Sequence, residues 1–171
     1  MKTFIMIPGG FKPPTKGHYS ILSQFKNYYK MYIIISSKER DGINQNTSYK
    51  IWNIYLKEYL KKNPKYKNKI IIVKSKDISP LITAYKFSLG LKKDSKLILV
   101  KSYKDKSNKR FDMFKNLKKI KIVNKLIKKY KNINSRDMRK YIETKNKKKV
   151  KEYMPDNLSD YMKNKIYNLL I

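Results

Sequence analysis

Three of the chain's five glycines, Gly9, Gly10 and Gly17, fall within nine residues. They sit in the segment Pro8-Gly9-Gly10-Phe11-Lys12-Pro13-Pro14-Thr15-Lys16-Gly17-His18, which also holds the only histidine. Glycine lets a backbone approach an anion closely. The segment ends where apolar spacing predicts a first helix, whose unpaired N–H groups and positive dipole end favour negative charge. Lys12, Lys16 and His18 add donors for phosphate oxygens. The inventory suits a phosphate or nucleotide; the plain alternative is a tight Pro/Gly turn with an incidental histidine. A P-loop needs Gly-Lys-Ser/Thr closing a longer loop, and the dinucleotide fingerprint needs Gly-x-Gly-x-x-Gly. Neither spacing is present, so kinase and dehydrogenase chemistry lose ground.

Composition narrows the classes further. No cysteine occurs, which excludes a disulfide scaffold, a thiolate metal site and a cysteine nucleophile. One histidine argues against a histidine metal cage and against a Ser-His-Asp protease. No apolar run reaches the roughly 18 residues of a membrane span, and the apolar stretch at the N-terminus is too short for a secretory signal. The expectation is a soluble cytoplasmic protein without a membrane partner. The net charge is +31, from 43 basic and 12 acidic residues. Such charge normally suggests nucleic acid, because neutralising phosphates releases counterions. Yet only Arg40, Arg110, Arg136 and Arg139 are arginine, leaving 39 lysines, and nucleic-acid readers favour the arginine fork. Lys, Asn, Ile and Tyr are enriched together, as AT-rich codons dictate. A nucleic-acid partner is therefore the secondary reading.

Elements that position the loop follow from the pattern. Short Ile/Val-rich runs at Thr3–Ile7, Tyr32–Ile35, Ile70–Val73, Leu97–Val100 and Ile120–Val123 lack polar alternation, as buried parallel strands do. Helical spacing falls between them at His18–Tyr29 and Thr47–Lys61, and again after Ser79-Pro80, where serine caps, proline opens and Gly90 closes as the C′ residue. Ser135–Glu143, Lys147–Met154 and Ser159–Leu170 also read as helices. The alternation predicts an α/β fold: a doubly wound, parallel, five-stranded sheet over residues 1–125, with a helical C-terminal part over 126–171 in the same domain. The lysine run at Lys145–Lys151 reads as a solvated helix start.

At the first loop the sequence resembles the nucleotidylyltransferase superfamily, whose members carry His/Thr-x-Gly-His after the first strand. Thr15-Lys16-Gly17-His18 fits that signature, and Pro8-Gly9-x-Phe11-x-Pro13-x-Thr15-x-Gly17-His18 is similar to the phosphopantetheine adenylyltransferase form. A second stretch, Ile133-Asn134-Ser135-Arg136-Asp137-Met138-Arg139, resembles the family's Ile-Ser-Ser-Thr-x-x-Arg motif, with Asn134 for the first serine and Arg136 for the threonine. Its physical logic is a helix N-terminus with a serine N-cap and an arginine one turn on, both aimed at an anion. Gly10 and Lys12 stand where the phosphopantetheine branch has threonine and aspartate. The second motif looks equally like the nicotinamide-mononucleotide branch or the small nucleotidyltransferases of viruses and phages.

The resemblance implies a Rossmann-like fold and attack by an acceptor phosphate on the α-phosphorus of a nucleoside triphosphate, with AMP from ATP the favoured group and CTP the other donor. His18, Lys12 and Arg139 would carry the chemistry. Gly9, Gly10, Phe11, Thr15, Gly17, Arg40, Lys101, Arg110 and Ser135 would join them around the nucleotide. Mg²⁺ would arrive on the triphosphate, because it keeps its waters and prefers substrate phosphates. The partners implied are a nucleoside triphosphate and a phosphorylated small-molecule acceptor; oligomeric state is left open. Two other classes compete: a nucleic-acid-binding protein that keeps the fold without catalysis, and a relative of class I aminoacyl-tRNA synthetases. The second lacks a Lys-Met-Ser-Lys-Ser sequence and room for an anticodon domain.

Overall fold

The computed structural model describes residues 1–127, 130 and 132–171. Five strands, β1 (Thr3–Gly9), β2 (Lys30–Ile35), β3 (Ile70–Lys74), β4 (Lys96–Lys101) and β5 (Lys121–Leu126), form one sheet in the order β3-β2-β1-β4-β5. Every pairing is parallel. The order reverses beside β1, so the crevice at its carboxyl end is the place where such sheets bind ligands. Strands β1 to β4 run a residue or two past their apolar runs into flanking residues, whereas β5 starts at Lys121, a residue after Ile120, and continues three residues past Val123 to Leu126. The parallel ladder continues there even where side chains turn to water.

Successive side chains alternate between two cores. Ile5, Ile7, Met31, Ile33 and Ile35 face one, packed with Ile51, Trp52 and Tyr55 of α2 (Gln45–Lys62). Met138 of α4 (Ser135–Glu143), Val150 of α5 (Lys147–Glu152) and Ile166 and Leu170 of α6 (Asp160–Leu170) join the same core. The C-terminal helices thus cover the face that carries the first loop. Met6, Ile34, Leu97 and Leu99 face the other core, with Leu81 and Ala84 of α3 (Pro80–Leu89) and with Phe111 and Phe114. The expected doubly wound α/β architecture is present. Among the described residues no helix is long and apolar enough to cross a membrane.

Three local expectations change. The first helix is short: α1 spans only Lys16–Tyr19, followed by a 3₁₀ turn at Ser20–Ser23. Ser20 Oγ donates to the Gly17 carbonyl and Ser23 Oγ to the Ser20 carbonyl, competing with helix continuation. Asn27, at φ +55, then turns the chain toward β2. Helix α2 begins two residues early, because Asn44 caps it by accepting from the Thr47 N–H at 2.9 Å. Gly90 closes α3 at φ −82, in right-handed conformation, so no left-handed C′ position demands that glycine.

Asn44 makes a side-chain capping bond, whereas Ser79, the cap that the sequence offers for α3, makes none. Asn44→Ala is expected to lower unfolding free energy by about 1 kcal/mol, and Ser79→Ala by less than about 0.5 kcal/mol. Urea midpoints at unchanged m-value measure both; equal effects would contradict the assignment.

Candidate functional site

The loop from Gly9 to Gly17 is held by its carbonyls, each of which has a donor. Ser36 N–H at the end of β2 donates to Gly9 O at 2.9 Å. Lys12 Nζ reaches Gly10 O at 2.8 Å, and Ser48 Oγ reaches Phe11 O at 2.6 Å. Arg139 Nη1 donates to Lys12 O at 2.7 Å, Ser135 Oγ to Pro13 O at 2.8 Å and the Tyr55 hydroxyl to Pro14 O at 3.0 Å. Tyr19 N–H serves Thr15 O, Ser20 N–H serves Lys16 O, and Ser20 Oγ serves Gly17 O. Donors from β2, α2 and α4 thus converge on one stretch of backbone. The N–H groups of Gly10, Phe11 and Lys12 have no acceptor among the described residues. Successive free N–H groups on a fixed backbone are what an oxyanion requires.

The two glycines at the loop's entry do different work. A Cβ on Gly9 would lie 2.6 Å from the Phe11 ring, so packing within the chain demands that glycine. A Cβ on Gly10 would meet nothing within 4 Å, and its φ is not positive. The fold makes no demand at Gly10, and the space a side chain would take there is open. Phe11 itself sits at φ +51 with its ring buried, edge-on to both His18 (5.0 Å) and Trp52 (5.3 Å).

His18 is partly exposed, and Nδ1 accepts from the Thr15 N–H at 2.9 Å. This is the returning arm of a capping box. An accepting Nδ1 leaves the neutral ring's proton on Nε2, which is thereby a donor. Burial pushes the imidazole pKa down to about 4, so His18 offers a hydrogen bond and not a charge at neutral pH. Because α1 has four residues, the helix dipole expected to assist adds little. Lys12 is 2% exposed, with its Nζ between Gly10 O and Ser36 O (2.9 Å). Burial first, and the charge of Arg40 second, lower its pKa to about 8. A buried cation without a carboxylate partner is costly unless an anion approaches.

The second motif meets the first, with one correction. The N-cap of α4 is Asn134, which accepts from the Asp137 N–H at 2.9 Å, and not Ser135. Ser135 is the first helical residue, and the Pro13 carbonyl takes its hydroxyl. Arg139 is held between the Lys12 carbonyl and Asp41, with Nε to Oδ2 at 2.5 Å. Its partner is therefore neither Asp137 nor Glu143. Arg40 is exposed beside Asp41. Lys101 and Arg110 are occupied elsewhere: the Lys101 ammonium lies 4.2 Å from the Phe111 ring centroid, and Arg110 Nε donates to Asn108 Oδ1 at 3.2 Å. Neither makes a hydrogen bond or ion pair to the first loop among the described residues. Ser48, Tyr55 and Asp41 escape sequence reasoning. The first two occupy core-patterned helix positions, and only a fold that lays α2 across the loop shows what their hydroxyls do.

A scan against protein-family models finds no match to this chain, and a search of curated proteins finds none either.

The position of His18 gives a pH signature. The unfolded chain protonates histidine near 6.5, whereas the folded ring resists until about 4. Between those values the unfolded state binds more protons, so stability is present above 6.5 and falls as pH drops toward 4. His18→Gln keeps an acceptor at the third helical position and does not titrate. The stability advantage of wild type over His18→Gln is expected to shrink across that window, measured by urea unfolding at several pH values. Parallel profiles would contradict a neutral His18.

Proposed function

We propose that this chain is a nucleotidylyltransferase that transfers a nucleoside monophosphate, AMP from ATP, to a phosphorylated small-molecule acceptor and releases pyrophosphate. One observation carries the reading: the Gly10, Phe11 and Lys12 N–H groups stand free in the same loop that ends at a neutral His18 donor and that opens with a glycine the fold does not require. The similarity of Thr15-Lys16-Gly17-His18 and of the Arg139 segment to nucleotidylyltransferase motifs supports it.

In the reaction an acceptor phosphate oxygen bonds to the α-phosphorus as the bond from that phosphorus to the β-bridging oxygen breaks, and the electron pair leaves with pyrophosphate. No enzyme nucleophile is needed, so the rate rests on alignment and charge stabilisation. The free N–H groups bind nonbridging phosphate oxygens, and the Nε2–H of His18 donates to oxygen as charge builds. Lys12 supplies positive charge beneath the loop while its hydrogen bonds hold Gly10 and Ser36 in place. Arg139 and Arg136 attract the departing β- and γ-phosphates. The donors around the loop are amides, ammonium and guanidinium, a set that binds phosphate and leaves a cation to the ligand. Mg²⁺ bound to the triphosphate would neutralise charge on the departing pyrophosphate.

Pyrophosphate release from ATP, with CTP in parallel, across a panel of phosphorylated acceptors tests the proposal. Acceptor-dependent release from ATP is expected, and its absence with both nucleotides across the panel would overturn it. Gly10→Ala is the matching variant. Its thermal midpoint is expected within about 2 °C of wild type, while turnover falls at least about tenfold because a methyl group enters the phosphate path. Full activity in Gly10→Ala would remove the loop amides from the mechanism.

A further inference from the structure

Only four of 43 basic residues are arginine, yet two of the four, Arg136 and Arg139, line one cleft and a third, Arg40, adjoins its edge in the chain. A cleft of about 540 Å³ between the turn after β2 and helix α4 is lined by residues that include Asp41, Ile43, Arg136, Arg139 and Lys140. Arg40 adjoins Asp41 in the chain and is close enough to Lys12 to lower its pKa. Neither Arg40 nor Arg136 makes an ion pair among the described residues. Arginine presents a planar fork suited to phosphate oxygens, so this concentration marks the cleft against the lysine background.

Two carboxylates, Asp41 and Glu143, line that cleft, and Asp41 is the one paired with Arg139. Asp41 and Gly42 both have positive φ, +48 and +76, and reciprocal bonds between Arg40 and Ile43 (3.1 and 2.9 Å) close the turn. This is the geometry of a tight two-residue hairpin turn, and it presents the carboxylate rigidly to Arg139. The side chains differ in exposure: 14% for Arg139 against 71% for Asp41. A buried guanidinium needs an anion, whereas an exposed carboxylate returns to water at little cost. Arg139 keeps its hold on the Lys12 carbonyl through Nη1 while Nε changes partner.

We infer that Asp41 is a specificity-determining residue: its carboxylate occupies Arg139 until the polyphosphate tail of the donor nucleotide displaces it. The inference rests on the proposed transferase reading for the nature of the ligand. A single phosphate merely exchanges one anion for another at Arg139. A polyphosphate also reaches Arg136 and Lys140, so the exchange favours it.

Calorimetric titration with inorganic tripolyphosphate and with orthophosphate tests this. Asparagine and glycine both tolerate positive φ, so Asp41→Asn and Asp41→Gly preserve the turn. Wild type is expected to bind tripolyphosphate more tightly than orthophosphate, and both variants are expected to bind tripolyphosphate about fivefold more tightly than wild type. In Arg139→Gln the added Asp41→Asn is expected to give no gain, because the two residues act as a pair. Unchanged or weaker binding in both Asp41 variants, a gain that persists without Arg139, or no binding by any of the proteins would overturn the inference. Tighter binding in the variants without pyrophosphate release on any acceptor would leave Asp41's role standing and remove the transferase reading. Acceptor-dependent release with Asp41 variants indifferent to tripolyphosphate would do the reverse.

Discussion

Backbone carbonyls repel phosphate, and a loop that is to receive an anion must turn them away. The Gly9–Gly17 loop does so residue by residue, through Ser36 of the β2 end, Ser48 and Tyr55 of α2, and Ser135 and Arg139 of α4. Two of its residues are prolines with no N–H to offer, so the available donors cluster at Gly10, Phe11 and Lys12. The helices that cover this face of the sheet therefore fix the loop's conformation as well as bury the core. The Lys16 N–H bond to the Tyr153 carbonyl at 2.7 Å ties the end of α5 to the same loop.

Electrostatics act on two scales. Thirty-nine lysines spread over the chain create a positive field that is strongest at low ionic strength and is screened by salt. Close to the loop, burial sets the charge states. His18 is neutral because burial disfavours its charged form, and Lys12 is held below the usual lysine range for the same reason. Of the four arginines, Arg136 and Arg139 line one cleft, where Asp41 pairs with Arg139.

The sheet was legible because β1 to β4 are short Ile/Val runs without alternation, and each lies within two residues of where the sequence places it. The first loop was legible from glycine spacing around a lone histidine. Helix α1 was overextended, since Ile21, Leu22 and Phe25 have helical spacing but Ser20 and Ser23 bond back to the preceding turn. Asn134 and Ser135 are adjacent residues equally able to cap; the choice falls to Asn134 because the Pro13 carbonyl engages Ser135. The pairs Tyr55–Pro14, Ser48–Phe11 and Arg139–Asp41 leave no local trace, because each joins residues more than 30 positions apart.

Amide NMR is the most direct test of the claim that the loop backbone receives phosphate. On addition of ATP with Mg²⁺ to the ¹⁵N-labelled chain, the largest shift changes are expected at the Gly10, Phe11 and Lys12 amides. A smaller response is expected at the indole N–H of Trp52, the only tryptophan, whose ring is edge-on to Phe11 at 5.3 Å. Shifts confined to exposed lysine-rich segments, with the Gly10–Lys12 amides unmoved, would contradict the account.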